Sequence, residues 1–394
     1  MARTGSGYLD SVANDELIDW QVAAATARSL WRPGPAVSRG AAEQAVAELR
    51  ACAVAAEEHV RTFTGLRVPA AERPVLVVDS RGWVTANLDI MRTLSSPLVE
   101  KVRQYREGVP SGLLRAGANN LGAKITGAEV GSVLAFLSTR VLGQFDPFGD
   151  PGRAPAGRLL LVAPNIVRVE RELGVHPPDF RLWVCLHEET HRAQFGAVPW
   201  LRDHLTDGLA ALVAELDLEP AQLAGRLREA LRRPAASGLI ARGHAEVPAE
   251  RVETDANAVT PGTRRSLLDV VRTPEQRAAM DRLTAVMTLL EGHASYVMDG
   301  VGPLVVPSVA EISREFARRR SASRIRPDAL LRKVLGLDAK LRQYRDGERF
   351  VRAVVGEVGM DGFNRVWTSP NTLPTMAEIA QPAAWVRRVP LRRG

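Results

Sequence analysis

Two histidines four residues apart, His187 and His191, have the spacing in this sequence that points most directly to chemistry, and Glu188 follows the first of them. On an α-helix, residues four apart differ by about 40° around the axis, so both imidazoles leave the same face. Two imidazoles placed in this way can bind one metal ion, and the H-E-x-x-H spacing favours zinc. Glu188 lies about 100° from His187, where it can accept a proton from water without binding the metal. The stretch therefore predicts half of a zinc site with Glu188 as general base.

The surroundings of the motif predict a buried helix, because six apolar residues flank it. An accidental match on a solvated helix would lack such a coat. Two charged residues, Glu189 and Arg192, stand where strict metallopeptidase patterns prefer uncharged ones. Glu189 is expected about 200° from His187, facing either solvent or a salt bridge. The flanking apolar residues are Phe180, Leu182, Trp183, Val184, Leu186 and Phe195.

A catalytic zinc site needs three protein ligands and keeps one position for water. A compact extension of the motif would place a histidine six residues after His191, but Ala197 occupies that position. The other common solution is a glutamate from a later helix, and Glu215 and Glu291 are the candidates. Glu215 fits an ordinary helix end, whereas Glu291 lies in the apolar segment "AVMTLLEGHASYVMDG". A carboxylate there is costly unless it is paired or binds a metal, so we favour Glu291.

The helix segment that follows Glu291 contains three further residues whose side chains can take part in binding or catalysis. Asp299 lies about two helical turns further on, near the same face, and is expected to orient a zinc-binding imidazole as a hydrogen-bond acceptor. His293 projects about 200° from Glu291, which favours a core or supporting histidine over a ligand. Tyr296 is a candidate for stabilising the oxyanion, although an arginine could do the same.

The elements that must position these residues are mostly helices. Apolar residues recur with helical spacing through most of the chain, and strands are expected within 74–80 and 157–167. The fold class is therefore mainly α with a small β-sheet (α+β). We expect a mainly helical region over 1–150, a core holding both motif helices over 151–300, and a C-terminal helical region over 301–394.

Composition narrows the class of protein. The 394 residues are 45% hydrophobic and 25% charged, and 52 basic against 45 acidic residues give a net charge of +7. The basic residues are interleaved with acids except in "RRRSASRIR", 318–326. A nucleic-acid site there would show salt-sensitive affinity. No aromatic residues stand among those arginines to stack on bases, so a solvated helix end is the preferred interpretation.

The expected compartment is a reducing cytoplasm. Cys52 and Cys185 are the chain's two cysteines, which excludes a disulfide framework and a cysteine-based zinc cluster. The N-terminal residues do not resemble a secretory signal, and no uninterrupted apolar run is long enough to span a bilayer.

Five segments give the chain a resemblance to a known family, the zincin-like metallopeptidases of actinobacteria and their relatives. The resemblance extends over roughly 8–385 and implies a zincin-like core with His187, His191 and Glu291 on zinc and Glu188 as base. Members are often described as hydrolases associated with biosynthesis of the deazaflavin coenzyme. That association rests on gene neighbourhood and does not show that this chain binds the coenzyme. The segments are "GQFDPFG" (143–149), "LLLVAPNI" (159–166), "WVCLHEETHRAQFGAVPWLRDHL" (183–205), "LLEGHASYVMDG" (289–300) and "FNRVWTSPNTLPTMAEI" (363–379).

Together these observations predict a zinc-dependent hydrolase, a metallopeptidase with Zn²⁺ as cofactor and a peptide or protein as substrate. An edge strand over 157–163 is expected to align an extended peptide through main-chain hydrogen bonds. The rival hypothesis is a catalytically inactive zincin-like scaffold that binds metal or a partner. A protein side chain in the fourth zinc position would favour the scaffold.

Overall fold

The computed structural model describes residues 17–69, 74–107, 116–148, 157–215, 273–322 and 337–389. They form a mostly helical protein with one small sheet, which confirms the predicted fold class. Short 3₁₀ helices at Asn364–Trp367 and Pro370–Thr372 connect the last helices. The α-helices are α1 (Trp20–Ser29), α2 (Arg39–Thr64), α3 (Ser80–Glu107), α4 (Ala116–Ser138), α5 (Ala163–Leu173), α6 (Pro177–Ala197), α7 (Leu201–Ala214), α8 (Pro274–Gly300), α9 (Val309–Ala322), α10 (Leu337–Phe363), α11 (Met376–Ala380) and α12 (Pro382–Arg388).

The described sheet has three strands: β1 (Val75–Val78), β2 (Gly143–Asp146) and β3 (Arg158–Val162). Their order is β1-β3-β2, with β3 parallel to β1 and antiparallel to β2. Residues 159–162 are buried because β3 is central. The prediction of an edge strand over 157–163 is therefore wrong, and the edges of the described sheet are β1 and β2. Strand order depends on pairing between distant segments, which a local pattern does not reveal.

The strand predicted over 157–167 is shorter than expected, since α5 begins at Ala163. The sequence predicts that Pro164 and Asn165 end this strand, but both residues lie in the first turn of the helix. Pro164 fits there because the first turn of a helix has no intrahelical partner for its N–H groups. The proline therefore marks the start of a helix rather than the start of a loop.

Helix α6 carries the H-E-x-x-H motif. It begins with Pro177 and Pro178 in its first turn, followed by Asp179 near the positive end of the helix. The Asp179 carboxylate also accepts hydrogen bonds from the backbone N–H and the hydroxyl of Ser308, at 2.8 Å and 2.7 Å. The helix packs against α2 and α8, which explains the predicted apolar coat. Its fully buried apolar side chains are Phe180, Cys185 and Leu186.

Helix α8 carries Glu291. A capping box of Thr273 and Gln276 starts the helix and satisfies backbone N–H groups that would otherwise have no partner. Every residue from 285 to 294 except Met287 is buried, Glu291 included. The segment around the glutamate is therefore core, as its apolar sequence predicts.

A close crossing of α8 and α10 fixes the position of this core segment. A Cβ atom added at Gly292 would lie 2.1 Å from the carbonyl carbon of Gly347, and one added at Gly347 would lie 2.0 Å from the Thr288 carbonyl oxygen. The two backbones therefore touch at glycines, and any larger side chain would push them apart. Glu291 is the residue next to this contact.

One window in α4, Leu121–Ser138, is long and apolar enough to cross a membrane by length and composition alone, and 28% of it is buried. It contains Lys124 and Glu129. Two of its glycines pack onto the start of α1: a Cβ atom added at Gly127 would lie 2.3 Å from the main-chain oxygen of Asp19, the N-cap residue, and one added at Gly131 would lie 2.3 Å from that of Ala23. In this structure the window is thus one half of a close helix pair.

The largest apolar cluster includes residues from all three regions that the sequence suggests, for example Leu49, Leu161, Leu289 and Phe350. The division into 1–150, 151–300 and 301–394 stays a prediction. The sequence also predicts a helix over 219–232 and a loop over 252–263. Both lie outside the described residues, as does the second half of the basic run 318–326.

Candidate metal centre

His187, His191 and Glu291 converge between α6 and α8. One potential ligand atom from each lies within 4.8 Å of the other two. Glu291 Oε2 is 3.4 Å from His187 Nε2 and 3.6 Å from His191 Nε2. The imidazole rings are 4.9 Å apart and almost perpendicular, at 89°. Glu215, the other candidate ligand, instead lies at the C-terminal end of α7, where its carbonyl accepts a hydrogen bond from Gln276.

The donor set suits a zinc ion. Two imidazole nitrogens and one carboxylate oxygen make the three-ligand combination that zinc uses in catalytic sites. Burial alone would lower the pKa of His191, but the hydrogen bond and negative charge of Glu291 outweigh it, and the pKa is raised. The space between these two residues therefore stabilises positive charge, as a metal site must. A divalent cation would replace the proton that this pair attracts.

The second nitrogen of each imidazole has its own partner. His191 Nδ1 is 2.9 Å from Gln194 Oε1, and His187 Nδ1 is 3.3 Å from Met298 Sδ. Neither partner is Asp299, which the sequence suggested as the acceptor.

Asp299 instead ties α6 to α9. Its carboxylate accepts hydrogen bonds from Trp183 Nε1 at 2.9 Å and from the Ser313 hydroxyl at 2.7 Å. Eight residues beyond Glu291 correspond to a rotation of about 80° along the helix. That rotation points the carboxylate past the imidazoles to the preceding turn of α6, and Asp299 thereby acts on the orientation of the helix rather than on a ligand.

His293 is not one of the three residues whose ligand atoms converge. His293 is fully buried, with its ring 5.1 Å from Phe363 and 5.6 Å from Trp367. Burial, aided by the charge of His191, lowers the pKa of His293 to about 3, so this imidazole is neutral. The supporting position favoured for His293 fits its contact with Gln194, 3.0 Å from Nδ1.

Tyr296 contacts residues of α2 and α10. Its ring lies 5.9 Å from that of Phe63, and the guanidinium of Arg352 lies 5.5 Å from its centre. A role for Tyr296 in stabilising an oxyanion stays a prediction.

Glu188 lies directly against strand β2. A Cβ atom added at Gly143 would be 2.5 Å from Glu188 Cγ and 2.8 Å from Glu188 Oε1. The carboxylate is largely buried and belongs to the same turn of α6 as His187. The candidate base therefore stands between the ligand cluster and an edge strand of the sheet.

The two unexpected charges of the motif form a buried ion pair. Arg192 Nε is 2.5 Å from Glu189 Oε2, and Arg192 Nη2 is 2.8 Å from Glu57 on α2. Burial acts to raise the pKa of Glu189, and the adjacent Arg192 acts to lower it and so favours the ionised carboxylate. Of the two environments expected for Glu189, the structure shows the salt bridge.

Sequence reasoning missed three residues at this centre. Gln194 is three residues after His191, a spacing that brings helix side chains together, so this contact was open to prediction. Met298 lies about two turns after Glu291 and gave a weaker signal, because a methionine at helical spacing is typical of any core. Nothing in the residue type of Gly143 indicated its contact with Glu188.

Comparison with known proteins agrees with this geometry. The family model described as "Zincin-like metallopeptidase" matches residues 18–386. The chain is also similar to a crystal structure described as "a putative hydrolase with a novel fold" from Chloroflexus aurantiacus. The two chains are 30% identical, with a TM-score of 0.64, and the match covers 96% of this chain and 100% of the other. A comparison with curated proteins finds no significant match.

Proposed function

Because the chain belongs to the zincin-like metallopeptidase family, we propose that it is a zinc-dependent hydrolase that cleaves peptides or proteins. The observation that carries the proposal is the convergence of His187, His191 and Glu291 beside Glu188. The similarity to a protein described as a hydrolase supports the same reaction class.

In peptide hydrolysis the metal and the protein side chains would have different roles. Zinc, when bound, supplies a Lewis acid that polarises the scissile carbonyl and lowers the pKa of water. His187, His191 and Glu291 would hold it. The Glu188 carboxylate accepts a proton from the attacking water, whose oxygen forms a bond to the carbonyl carbon. It then returns the proton to the leaving nitrogen as the C–N bond breaks, which gives a carboxylic acid and an amine.

Strand β2 is a suitable guide for the substrate. It pairs with β3 along one side and forms an edge of the described sheet, and an extended peptide can add to such an edge through main-chain hydrogen bonds. Gly143, its first residue, contacts Glu188. A peptide paired with β2 would therefore pass close to the general base.

We also propose that the protein acts in the cytoplasm, without a membrane or nucleic-acid partner. Both cysteines are free thiols, and Cys185 is fully buried. Burial raises the pKa of the Cys185 thiol well above its ordinary value, which keeps the thiol protonated and unreactive. Free thiols of this kind suit a reducing compartment.

The proposal is tested with zinc-loaded protein and a peptide library, with products identified by mass spectrometry. We expect cleavage by the wild type. The variant Glu188→Gln keeps the shape of the side chain but cannot accept the proton, so its rate should fall by about 10²–10⁴-fold while zinc stays bound. Glu172→Gln, a half-exposed residue that pairs with Arg319, is the matched control and should keep its rate within roughly twofold.

Zinc at full occupancy without cleavage by the wild type would contradict the proposal. The same holds for cleavage that is unaffected by Glu188→Gln. The first outcome would favour the inactive scaffold that binds metal or a partner.

A further inference from the structure

We propose that Gln194 is a positioning residue of the metal centre. It fixes which ring nitrogen of His191 is available to the metal, and it ties that imidazole to the helix that carries Glu291. The inference rests on the proposed function in one respect, that a metal binds at this site.

The orientation of the Gln194 amide follows from its contact with a main-chain carbonyl. The Leu290 oxygen can only accept a hydrogen bond, and the Gln194 atom 3.0 Å away is therefore the amide nitrogen. This places Gln194 Oε1 2.9 Å from His191 Nδ1. The amide oxygen can only accept, so His191 Nδ1 carries the hydrogen. The lone pair of His191 is consequently at Nε2, the nitrogen that faces Glu291.

The second hydrogen of the same amide group locks this orientation. Gln194 Nε2 lies 3.0 Å from His293 Nδ1, and donation to that nitrogen leaves the His293 hydrogen at Nε2. His293 Nε2 has no hydrogen-bond partner among the described residues. The hydrogen bond that orients the His293 ring is therefore the one between Nδ1 and Gln194. Both amide hydrogens and the amide oxygen of Gln194 are thus in use, and a flip would turn the amide oxygen towards the Leu290 carbonyl, which cannot donate a hydrogen bond.

Gln194 also links the two helices of the site. Leu290 immediately precedes Glu291, and the hydrogen bond to its carbonyl joins α6 to α8 at the height of that ligand. Gln194 is fully buried. Loss of any one partner would leave a buried polar group without a hydrogen bond, which costs free energy. The three contacts of Gln194 therefore stabilise one another.

The two imidazoles have different partners at Nδ1. His187 Nδ1 lies 3.3 Å from the Met298 thioether, a weak acceptor. His191 Nδ1 donates to the Gln194 amide oxygen, and that amide is itself held by contacts with Leu290 and His293. We therefore assign the orientation of the His191 ring to Gln194.

The test measures zinc affinity of the full chain by competition with a chelating indicator. Gln194→Leu keeps a similar volume and removes all three contacts, and it should raise the zinc Kd about 10–100-fold. Gln276→Leu is the matched control, because it makes the same change on α8 and removes the capping box and the bond to Glu215. It should leave the zinc Kd within roughly threefold of the wild type, a change that its effect on stability alone can produce.

A second readout reports on ligand geometry. The absorption spectrum of the Co²⁺-substituted protein should change in Gln194→Leu and stay unchanged in Gln276→Leu. Should Gln194→Leu fail to fold, Gln194→Met replaces it. This variant keeps the length of the side chain but removes the amide oxygen and both amide hydrogens, and its zinc Kd should also rise by about tenfold or more.

A folded Gln194 variant with the wild-type zinc Kd and the wild-type Co²⁺ spectrum would overturn the inference. Because the readout is affinity, the result is separable from the proposed function. Wild-type protein that binds zinc without cleaving peptides would overturn the peptidase proposal and leave this test valid. Wild-type protein that cleaves peptides, with an unchanged Kd in the variant, would overturn only the role of Gln194. Wild-type protein that binds no zinc would overturn both.

Discussion

The side chains of the H-E-x-x-H motif divide between two faces of α6. His187 and His191 face Glu291, whereas Glu189 and Arg192 face α2, where Arg192 also contacts Glu57. A buried carboxylate such as Glu189 requires a cation beside it, and Arg192 supplies one from the next turn. The two charges that depart from the usual metallopeptidase pattern thus belong to helix packing. They do not weaken the case for the metal site on the opposite face.

His293 makes the stability of the fold sensitive to acid. Its pKa in the folded protein is about 3, through burial and the charge of His191, against about 6.5 in an unfolded chain. The folded state therefore binds fewer protons, so this stability is present above pH 6.5 and is lost as the pH falls from 6.5 towards 3. Between pH 7 and pH 5 the loss should be about 2 kcal/mol of the free energy of unfolding.

The measurement is urea unfolding of metal-free wild type and His293→Phe at both pH values. The variant should be less stable at pH 7, because Gln194 loses a hydrogen-bond acceptor. Its loss of stability between pH 7 and pH 5 should nevertheless be smaller by about 2 kcal/mol. Equal losses in the two proteins would show that His293 does not titrate as described.

Among the elements, β2 lies directly against Glu188, the proposed general base. An alanine Cβ at position 143 would lie 2.5 Å from Glu188 Cγ, so Gly143→Ala should displace the Glu188 carboxylate without touching a metal ligand. We expect peptide cleavage to fall by about 10²-fold, because a displacement of about 1 Å at a reacting group can have this effect. Gly122→Ala, where the added Cβ would meet nothing within 4 Å, serves as control. Full activity of Gly143→Ala would contradict the assignment, as would loss of its zinc.

The crossing of α8 and α10 sets the position of Glu291. Gly292→Ala places a Cβ atom 2.1 Å from the Gly347 backbone, so the two helices must separate. Overpacking of this kind costs about 1–3 kcal/mol of stability, and the displaced carboxylate should weaken zinc binding. Gly356→Ala is the control, because Gly356 lies on α10 like Gly347 but its added Cβ would meet nothing within 4 Å. It should leave zinc affinity unchanged, and denaturant unfolding with zinc titration distinguishes the two variants.

Some of these elements can be predicted from the sequence and others cannot. Helices α6 and α8 are long and carry an apolar pattern around their polar residues, so both the helices and the burial of Glu291 could be predicted. Strand β2 has four residues with a single large apolar side chain, Phe145, and gives almost no signal. The order of the strands and the close approach of Gly292 to Gly347 depend on contacts between distant segments, which local periodicity does not encode. For this reason the sequence pattern predicts the edge strand at β3, whereas β2 lies at the edge.

On the scale of the whole molecule, the centre depends on segments that are far apart in the sequence. Its candidate ligands come from α6 and α8, its candidate base contacts β2, and α10 packs against the helix that carries Glu291. A single apolar cluster includes residues from α2, β3, α6, α8 and α10. The ligand geometry is therefore a property of the assembled core, and a bound zinc ion would in turn stabilise that core by binding only the folded state.

The most direct test of this account is a crystal structure of the zinc-loaded chain, with the metal located by anomalous scattering at the zinc edge. We predict one zinc at the centre, bound by His187 Nε2, His191 Nε2 and a Glu291 carboxylate oxygen at about 2.0–2.2 Å. The Glu188 carboxylate should lie beside the metal without binding it, and the fourth position should be open to solvent. A zinc peak elsewhere, or a protein side chain in the fourth position, would contradict the account.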